Sequence, residues 1–203
     1  MSNNINTLVN LIHETNKESG NRFVFTITGG GFSAYTYLMT CPGASNTILE
    51  LNAPYSREAT LKYIENKVDS FASLEAANEL SIYSLKSCCD LMIKSKNDVD
   101  YLKNCYGVGV TAALATNRWL KGDHRFHIVI TSNNSKFTFS VNLYKGIEPT
   151  LFRSRLEEDE LCGKLIIYVI AYTCKIITFD MFLKYLYEDN LLNEKDKYEF
   201  SQE

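Results

Sequence analysis

The stretch RFVFTITGGGFSAYTYLMTCPG, Arg22 to Gly43, constrains the fold more than any other part of the chain. RFVFTIT is a short continuous run of apolar and β-branched residues, which suits a strand covered on both faces. Gly29, Gly30 and Gly31 end it, and Phe32 to Thr40 has the length and apolar content of a helix packed against that strand. Cys41-Pro42-Gly43 stops the helix, because proline restricts the residue before it and glycine permits positive φ. A strand buried on both faces and followed by a packed helix implies a parallel or mixed sheet with helices on both sides.

The remaining segments extend the pattern. Asn6 to Glu18 places Leu8, Leu11 and Ile12 at helical spacing, with a glycine stop in KESGN. NTILELNAPYS reads as a second strand ended by Pro54, and REATLKYIENK as a short helix. SLEAANELSIYSLKSCCDLMIKS predicts a longer helix, with Ser73 as its N-cap and Ala76, Leu80, Tyr83 and Ser84 on one face. NDVDYLKN is loop-like, and YGVGVTAALAT reads as a central strand ending in a small-residue loop. RFHIVIT and KFTFSVNL alternate on either side of SNNS and predict a hairpin. RLEEDE is an acidic first turn feeding a long buried helix from about Glu157, whereas Tyr187 to Glu203 is mostly charged and reads as a frayed helix or a disordered tail. These elements predict a three-layer α/β/α sandwich with a mixed sheet: one domain over residues 1–186 and a charged tail over 187–203.

Composition excludes several classes of function. The 203 residues suffice for one substantial core. With 21 basic and 24 acidic side chains the net charge is -3, so no global field favours wrapping a nucleic acid. The six cysteines are scattered through apolar stretches without a CxxC pair, and only three histidines accompany them, so they read as buried small hydrophobes and no metal is expected. The start MSNNINTLVN lacks a basic segment followed by an apolar core, which points to a reducing, cytoplasmic setting. The longest apolar run, LCGKLIIYVIAYTCKIITFDMF, is interrupted by Lys164 and Lys175 and reads as a core helix, with no membrane partner expected.

Three places carry groups with chemistry. The TGGG turn, Thr28 to Gly31, frees backbone N–H groups at a helix start, where a phosphate can sit without a side-chain cation; it is equally what a plain tight turn requires. Ser45 follows Pro42-Gly43 on a turn expected near the same sheet edge, and Tyr55 and Arg57 open the next helical segment. A serine there needs a neighbouring base or positive charge to act as a nucleophile. KGDHRFH is the densest polar cluster: Asp123 next to His124 could orient an imidazole, and Arg118, Lys121 or Arg125 could hold a phosphate. On a strand, Arg125 and His127 share one face and Phe126 and Ile128 the other, and an edge strand with its polar face in water fits the same pattern.

TGGG, PGAS, PYSR, GVGVTAALAT and KGDHRFHI, in this order, resemble the C-terminal domain of the competence-damage protein CinA, the nicotinamide-nucleotide amidase family. The similarity runs from the first helix to about Ile177 and is closer to the divergent CinA-like domain that some plant and bacterial proteins carry, in certain cases beside a nucleotidyltransferase domain. The resemblance implies an α/β/α sandwich that assembles as a homo-oligomer and acts on a small phosphorylated nucleotide without a cofactor. Amidase members convert nicotinamide mononucleotide to the acid plus ammonia using a serine, a tyrosine and a lysine. By motif the serine falls on Ser45 and the tyrosine on Tyr55, while Thr28, Gly29, Gly30, Gly31, Arg57, Thr111, Arg118, Lys121 and His124 fall in the substrate region. The lysine position is Thr60, which cannot act as a base, and Lys62 would point about 200° away from it on a helix. The [ST]-G-x-A-G-P loop of the family aligns with TAALAT from Thr111, where both glycines and the proline are absent.

Two functions follow from the resemblance. With the serine and tyrosine positions both filled, the first is a C–N hydrolase in which Ser45 attacks a nucleotide carboxamide. The second, drawn from Thr60 and the altered TAALAT loop, is a CinA-like domain lacking the base that binds a pyridine nucleotide or a partner protein.

Overall fold

A six-stranded mixed sheet organises the chain, which is described by a computed structural model over residues 5–96, 99–119, 121–148, 150–188 and 191–203. The elements in order are α1 (Ile5–Ser19), β1 (Arg22–Thr28), α2 (Ser33–Thr40), β2 (Ile48–Asn52), a single-turn α3 (Arg57–Thr60) and α4 (Leu74–Lys96). They continue with β3 (Cys105–Ala113), β4 (His124–Thr131), β5 (Lys136–Leu143) and a small hairpin of β6 (Gly146–Ile147) and β7 (Thr150–Leu151). The chain ends with α5 (Arg155–Thr173), α6 (Phe179–Glu188) and β8 (Lys197–Gln202). The strand order is β2-β1-β3-β4-β5-β8. β2, β1 and β3 run parallel, and β4, β5 and β8 alternate antiparallel beyond them.

The two faces of the sheet are built differently. Phe23, Phe25, Ile27, Val108, Val110, Phe126, Ile128 and Phe139 point to one side, where α1, α2, α5 and α6 bury them in the main core. On the other side α4 lies across β1, β3 and β4. Gly109 allows this close approach: a Cβ there would meet the Ala77 carbonyl oxygen of α4 at 2.0 Å. Ser84 and Ser81 of α4 add cross-layer hydrogen bonds at 2.8 Å to Thr26 and Thr131.

The fold differs from the sequence expectation in four places. The charged C-terminal segment is neither frayed helix nor loose tail. Lys197–Gln202 pairs with β5 along Phe137–Asn142, Tyr198 packs on Phe139, and the buried Asp196 accepts from Arg153 and from the Tyr144 N–H at 2.7 Å. The long C-terminal helix is two helices, broken after Thr173 where Lys175 takes φ 59°. The helix after Pro54 shortens to α3 and a 3-10 turn, Leu61–Tyr63. Ser73 caps α4 as read, its Oγ accepting the Ala76 N–H at 3.2 Å, but Tyr83 leaves the buried face and meets the Tyr63 ring edge-on, with the ring centres 4.7 Å apart.

Candidate functional site

β1 leads through α2 to β2 on one side, and the chain then returns to place β3 on the other side of β1. Such a reversal opens a crevice at the carboxyl ends of the two central strands, which is where open α/β sheets bind ligands. In this chain it falls between the Gly29–Gly31 turn after β1 and the Leu114–Ala115 segment after β3.

The first two turns of α5 fill that crevice. Asp159 accepts the Gly31 N–H at 2.7 Å and the Phe32 N–H at 3.1 Å on Oδ1, and the Ser33 N–H at 3.0 Å on Oδ2. The nest of N–H groups expected to hold a phosphate therefore holds a carboxylate of the same chain. Arg155 donates to the carbonyls of Gly29 at 2.8 Å and Ala115 at 3.2 Å, and to Tyr55 Oη at 3.3 Å. Glu158 accepts the Ala115 N–H at 2.6 Å on Oε2 and meets His124 Nδ1 at 2.7 Å with Oε1. Ser154 starts α5 with a reciprocal capping box to Glu157, which fixes the helix start and so the direction of all three side chains.

The glycines follow from packing. Gly29 has φ +83°, and a Cβ on it would lie 2.0 Å from the Ala112 carbonyl oxygen, so the turn requires glycine before any ligand is considered. Thr28 is buried directly ahead of it.

The residues read from the sequence divide between the two ends of the sheet. Tyr55, Arg57, Arg118, Lys121 and His124 lie at the carboxyl end with the glycine turn. Tyr55 is 67 % exposed, its ring 6.3 Å from that of Phe32, and Arg57 lies over the Phe71 ring at 5.5 Å. Arg118 and Lys121 are exposed on the connection from β3 to β4. Ser45 does not share this edge. It sits in the 3-10 turn Ala44–Asn46 that enters β2 beside the amino end of β1, where the Asn46 carbonyl accepts from Arg22 and the Thr47 carbonyl from the Phe23 N–H. The five residues of β2 put about 16 Å of extended chain between this turn and the Tyr55 end.

Two further residues are committed elsewhere. Thr111 is fully buried on the α4 side, its hydroxyl donating to the Ser73 carbonyl at 2.9 Å, so it supports the start of α4 and does not line the crevice. Thr60 is 2 % exposed and donates to the Ser56 carbonyl of its own turn at 2.9 Å. Its hydroxyl faces protein where the amidase pattern would place an amine. The residue that orients His124 is Glu158, from a distant helix, and not its neighbour Asp123. β4 is also not an edge strand: it lies between β3 and β5, and His127 bonds Ser140 across the pair at 2.8 Å.

Arg155, Glu158 and Asp159 are the site residues that sequence reasoning missed. Their spacing of three and four places them on one face of the first turns of α5, a pattern legible in RLEED once that face is known to meet the sheet end.

Solved structures with this architecture are similar across nearly their whole length. The competence or damage-inducible protein of Enterobacter asburiae superposes with a TM-score of 0.60 at 10 % identity, over 87 % of this chain and 99 % of that one. A CinA superfamily protein of Klebsiella pneumoniae gives 0.62 at 10 % identity, over 86 % and 99 %. The chain has the CinA fold. The competence/damage inducible protein CihA of Agrobacterium tumefaciens gives 0.62 at 13 % identity, over 84 % and 95 %. No protein-family model and no curated protein matches the chain. Among the described residues no helix is long and apolar enough to cross a membrane, and no group of three or more His, Cys, Asp and Glu side chains is placed to hold a metal ion.

Proposed function

We propose that this chain is a CinA-like binding domain that holds a small aromatic anion of the pyridine-nucleotide class at the carboxyl end of its sheet and does not hydrolyse it. The observation that carries this reading is the separation of Ser45 from Tyr55 along β2, with Thr60 buried and bonded within its own turn. The tyrosine and lysine positions of the amidase pattern therefore supply no base to Ser45, and a serine not activated by a base is a poor nucleophile. The proposed binding surface is Tyr55 and Phe32, which offer aromatic faces, with the Arg155 guanidinium between them and the glycine turn. The aromatic rings suit a flat pyridinium ring and the guanidinium suits the phosphate of such a ligand.

The test is incubation of the purified protein with nicotinamide mononucleotide, followed by mass spectrometry for the one-unit gain of amide-to-acid conversion and by calorimetry for binding. The reading requires intact nucleotide and a binding heat that survives Ser45→Ala and disappears in Tyr55→Ala. Conversion that stops in Ser45→Ala would establish the amidase instead.

A further inference from the structure

A cavity of about 560 Å³ opens at the end of the sheet away from the glycine turn, where β3 begins, β4 turns into β5 and α5 ends. Part of its wall is aromatic: Tyr106 and Tyr172, both half-buried, and the buried Phe137 line it. The Tyr172 hydroxyl donates to Gln202 Oε1 at 2.7 Å, so the C-terminal strand β8 helps to complete that wall. The charge around the cavity is of one sign. Lys103, Lys136 and Lys175 line it, and among the described residues no carboxylate does. Lys136 pairs with Glu203 at 2.9 Å, whereas Lys103 and Lys175 make no ion pair among the described residues. In a chain of net charge -3, two uncompensated cations on one concave surface mark a local attraction for anions.

Lys175 reaches this place at a conformational cost. The last turn of α5 closes as a Schellman motif, in which the Lys175 N–H donates to the Tyr172 carbonyl and the Ile176 N–H to the Ala171 carbonyl, each at 2.9 Å. The motif puts Lys175 in the left-handed region, φ 59°, a position that glycine ordinarily fills. Among the described residues no other non-glycine has a positive φ. Strain of this kind gathers at functional sites, and here it falls on a cation that lines the cavity.

We propose that this cavity is a second ligand site, at the amino end of the parallel strands, and that it takes a nucleoside diphosphate. Lys103 and Lys175 hold the phosphates as point charges, and the rings of Tyr106, Phe137 and Tyr172 receive the planar base. A lysine is a good phosphate partner wherever no planar fork is needed, and two of them match a ligand carrying at least two negative charges. The volume lies within the range of about 300–1,000 Å³ in which small-molecule sites fall. The rim is preformed, since Ser132 and Ser135 close the β4–β5 turn on each other with their hydroxyls 2.9 Å apart. The site shares no residue with the carboxyl end of the sheet and stands whether or not that end binds a ligand.

The test is calorimetry at low salt on the full chain carrying Tyr55→Ala, which removes the aromatic surface at the carboxyl end, with ADP, pyrophosphate and adenosine as probes. ADP should bind, pyrophosphate should bind about tenfold more weakly for want of the ring contacts, and adenosine should give no heat. Adding Lys175→Gly should weaken ADP about tenfold, while the thermal midpoint holds or rises by about 2 °C because glycine relieves the left-handed strain. Lys175→Arg keeps the charge and should cost about threefold or less. Lys103→Ala, on a separate element, should repeat the loss without touching the end of α5. Lys62→Ala, an exposed lysine in the 3-10 turn after α3, is the control for general charge and should leave the affinity unchanged. Absence of ADP binding overturns the inference, as does an affinity that Lys175→Gly and Lys103→Ala leave intact. A loss in Lys62→Ala equal to that in Lys175→Gly overturns it as well, since it shows unspecific attraction. Pyrophosphate as tight as ADP overturns the assignment of the base to the aromatic wall.

Discussion

Asp159 accepts the Gly31 N–H at 2.7 Å across 128 residues of chain, so an acidic side chain of α5 occupies the N–H nest at the start of α2. This contact ties the last helical layer to the first strand-to-helix turn. Replacing Asp159 by alanine removes the acceptor for the Gly31, Phe32 and Ser33 N–H groups together, whereas asparagine keeps one carbonyl oxygen. Asp159→Ala is expected to cost about 2 kcal/mol and Asp159→Asn about half of that, because charge-assisted bonds are the stronger ones and water replaces part of what is lost. Urea unfolding measures both, and an unchanged midpoint in the alanine variant would show that the contact contributes nothing.

Histidine 127 makes stability depend on pH. Burial, with Arg125 beside it, lowers its pKa from 6.5 to about 4, while the unfolded chain titrates near 6.5. Between those values the unfolded state binds a proton that the folded state refuses. Stability is therefore complete above pH 6.5 and falls as the pH drops toward 4. His13, lowered by burial, contributes with the same sign. In His127→Gln the fall between pH 6.5 and 4 should be shallower than in the parent, read as converging urea midpoints at pH 7.5, 6, 5 and 4.5. Parallel curves would mean that His127 titrates normally in the folded protein.

Gly109 sets the distance between the sheet and α4. A Cβ would meet the Ala77 carbonyl oxygen at 2.0 Å and the Ser81 nitrogen at 2.4 Å, both backbone atoms of a long helix that cannot step aside locally. Gly109→Ala is expected to cost about 3 kcal/mol or to abolish soluble expression, since overpacking here moves a whole layer. Gly122, whose nearest potential contact is the far end of Arg125 at 4.0 Å, is the control, with a change of about 0.5 kcal/mol or less on substitution to alanine. Thermal unfolding of the pair separates a specific clash from a general loss of glycine, and equal midpoints would refute the clash.

The layered fold was legible wherever local chemistry and tertiary packing agree. RFVFTIT and the SNNS hairpin became β1 and β4–β5, and Pro42-Gly43 follows the end of α2, with Gly43 at φ +94°. It was not legible in KYEFSQ, where charged residues on one face hide the alternation that seats Tyr198 against Phe139 as an edge strand. The site was half legible. The glycine turn and Tyr55 share one end of the sheet because β1 and β2 run parallel, and His124 joins them because β4 starts antiparallel beside the end of β3. Ser45 was assigned to the wrong end because α2 carries the chain back across the sheet before β2 begins, a displacement invisible in the short spacing between Gly31 and Ser45. The occupant of the nest lay out of reach, because nothing near the glycines in sequence points to Asp159.

The anchoring of β8 gives the last test. Asp196, whose side chain is fully buried, accepts both terminal nitrogens of Arg153, the Tyr144 N–H at 2.7 Å and the Asn193 N–H at 2.8 Å, immediately before the strand begins. Asp196→Ala strands a largely buried guanidinium and two N–H groups and is expected to cost about 3–5 kcal/mol, more than the pair itself is worth, because an uncompensated buried charge is the dominant penalty. The double variant Arg153→Met with Asp196→Leu removes both charges and should recover a substantial part of that loss. Hydrogen exchange should locate the damage: in Asp196→Ala the amides of β8 should open before those of β1, since β8 pairs with β5 alone whereas β1 is enclosed between β2 and β3. Uniform opening of both strands would show that Asp196 supports the whole core, and a double variant no better than the single one would show that the N–H groups, and not the stranded cation, dominate the cost.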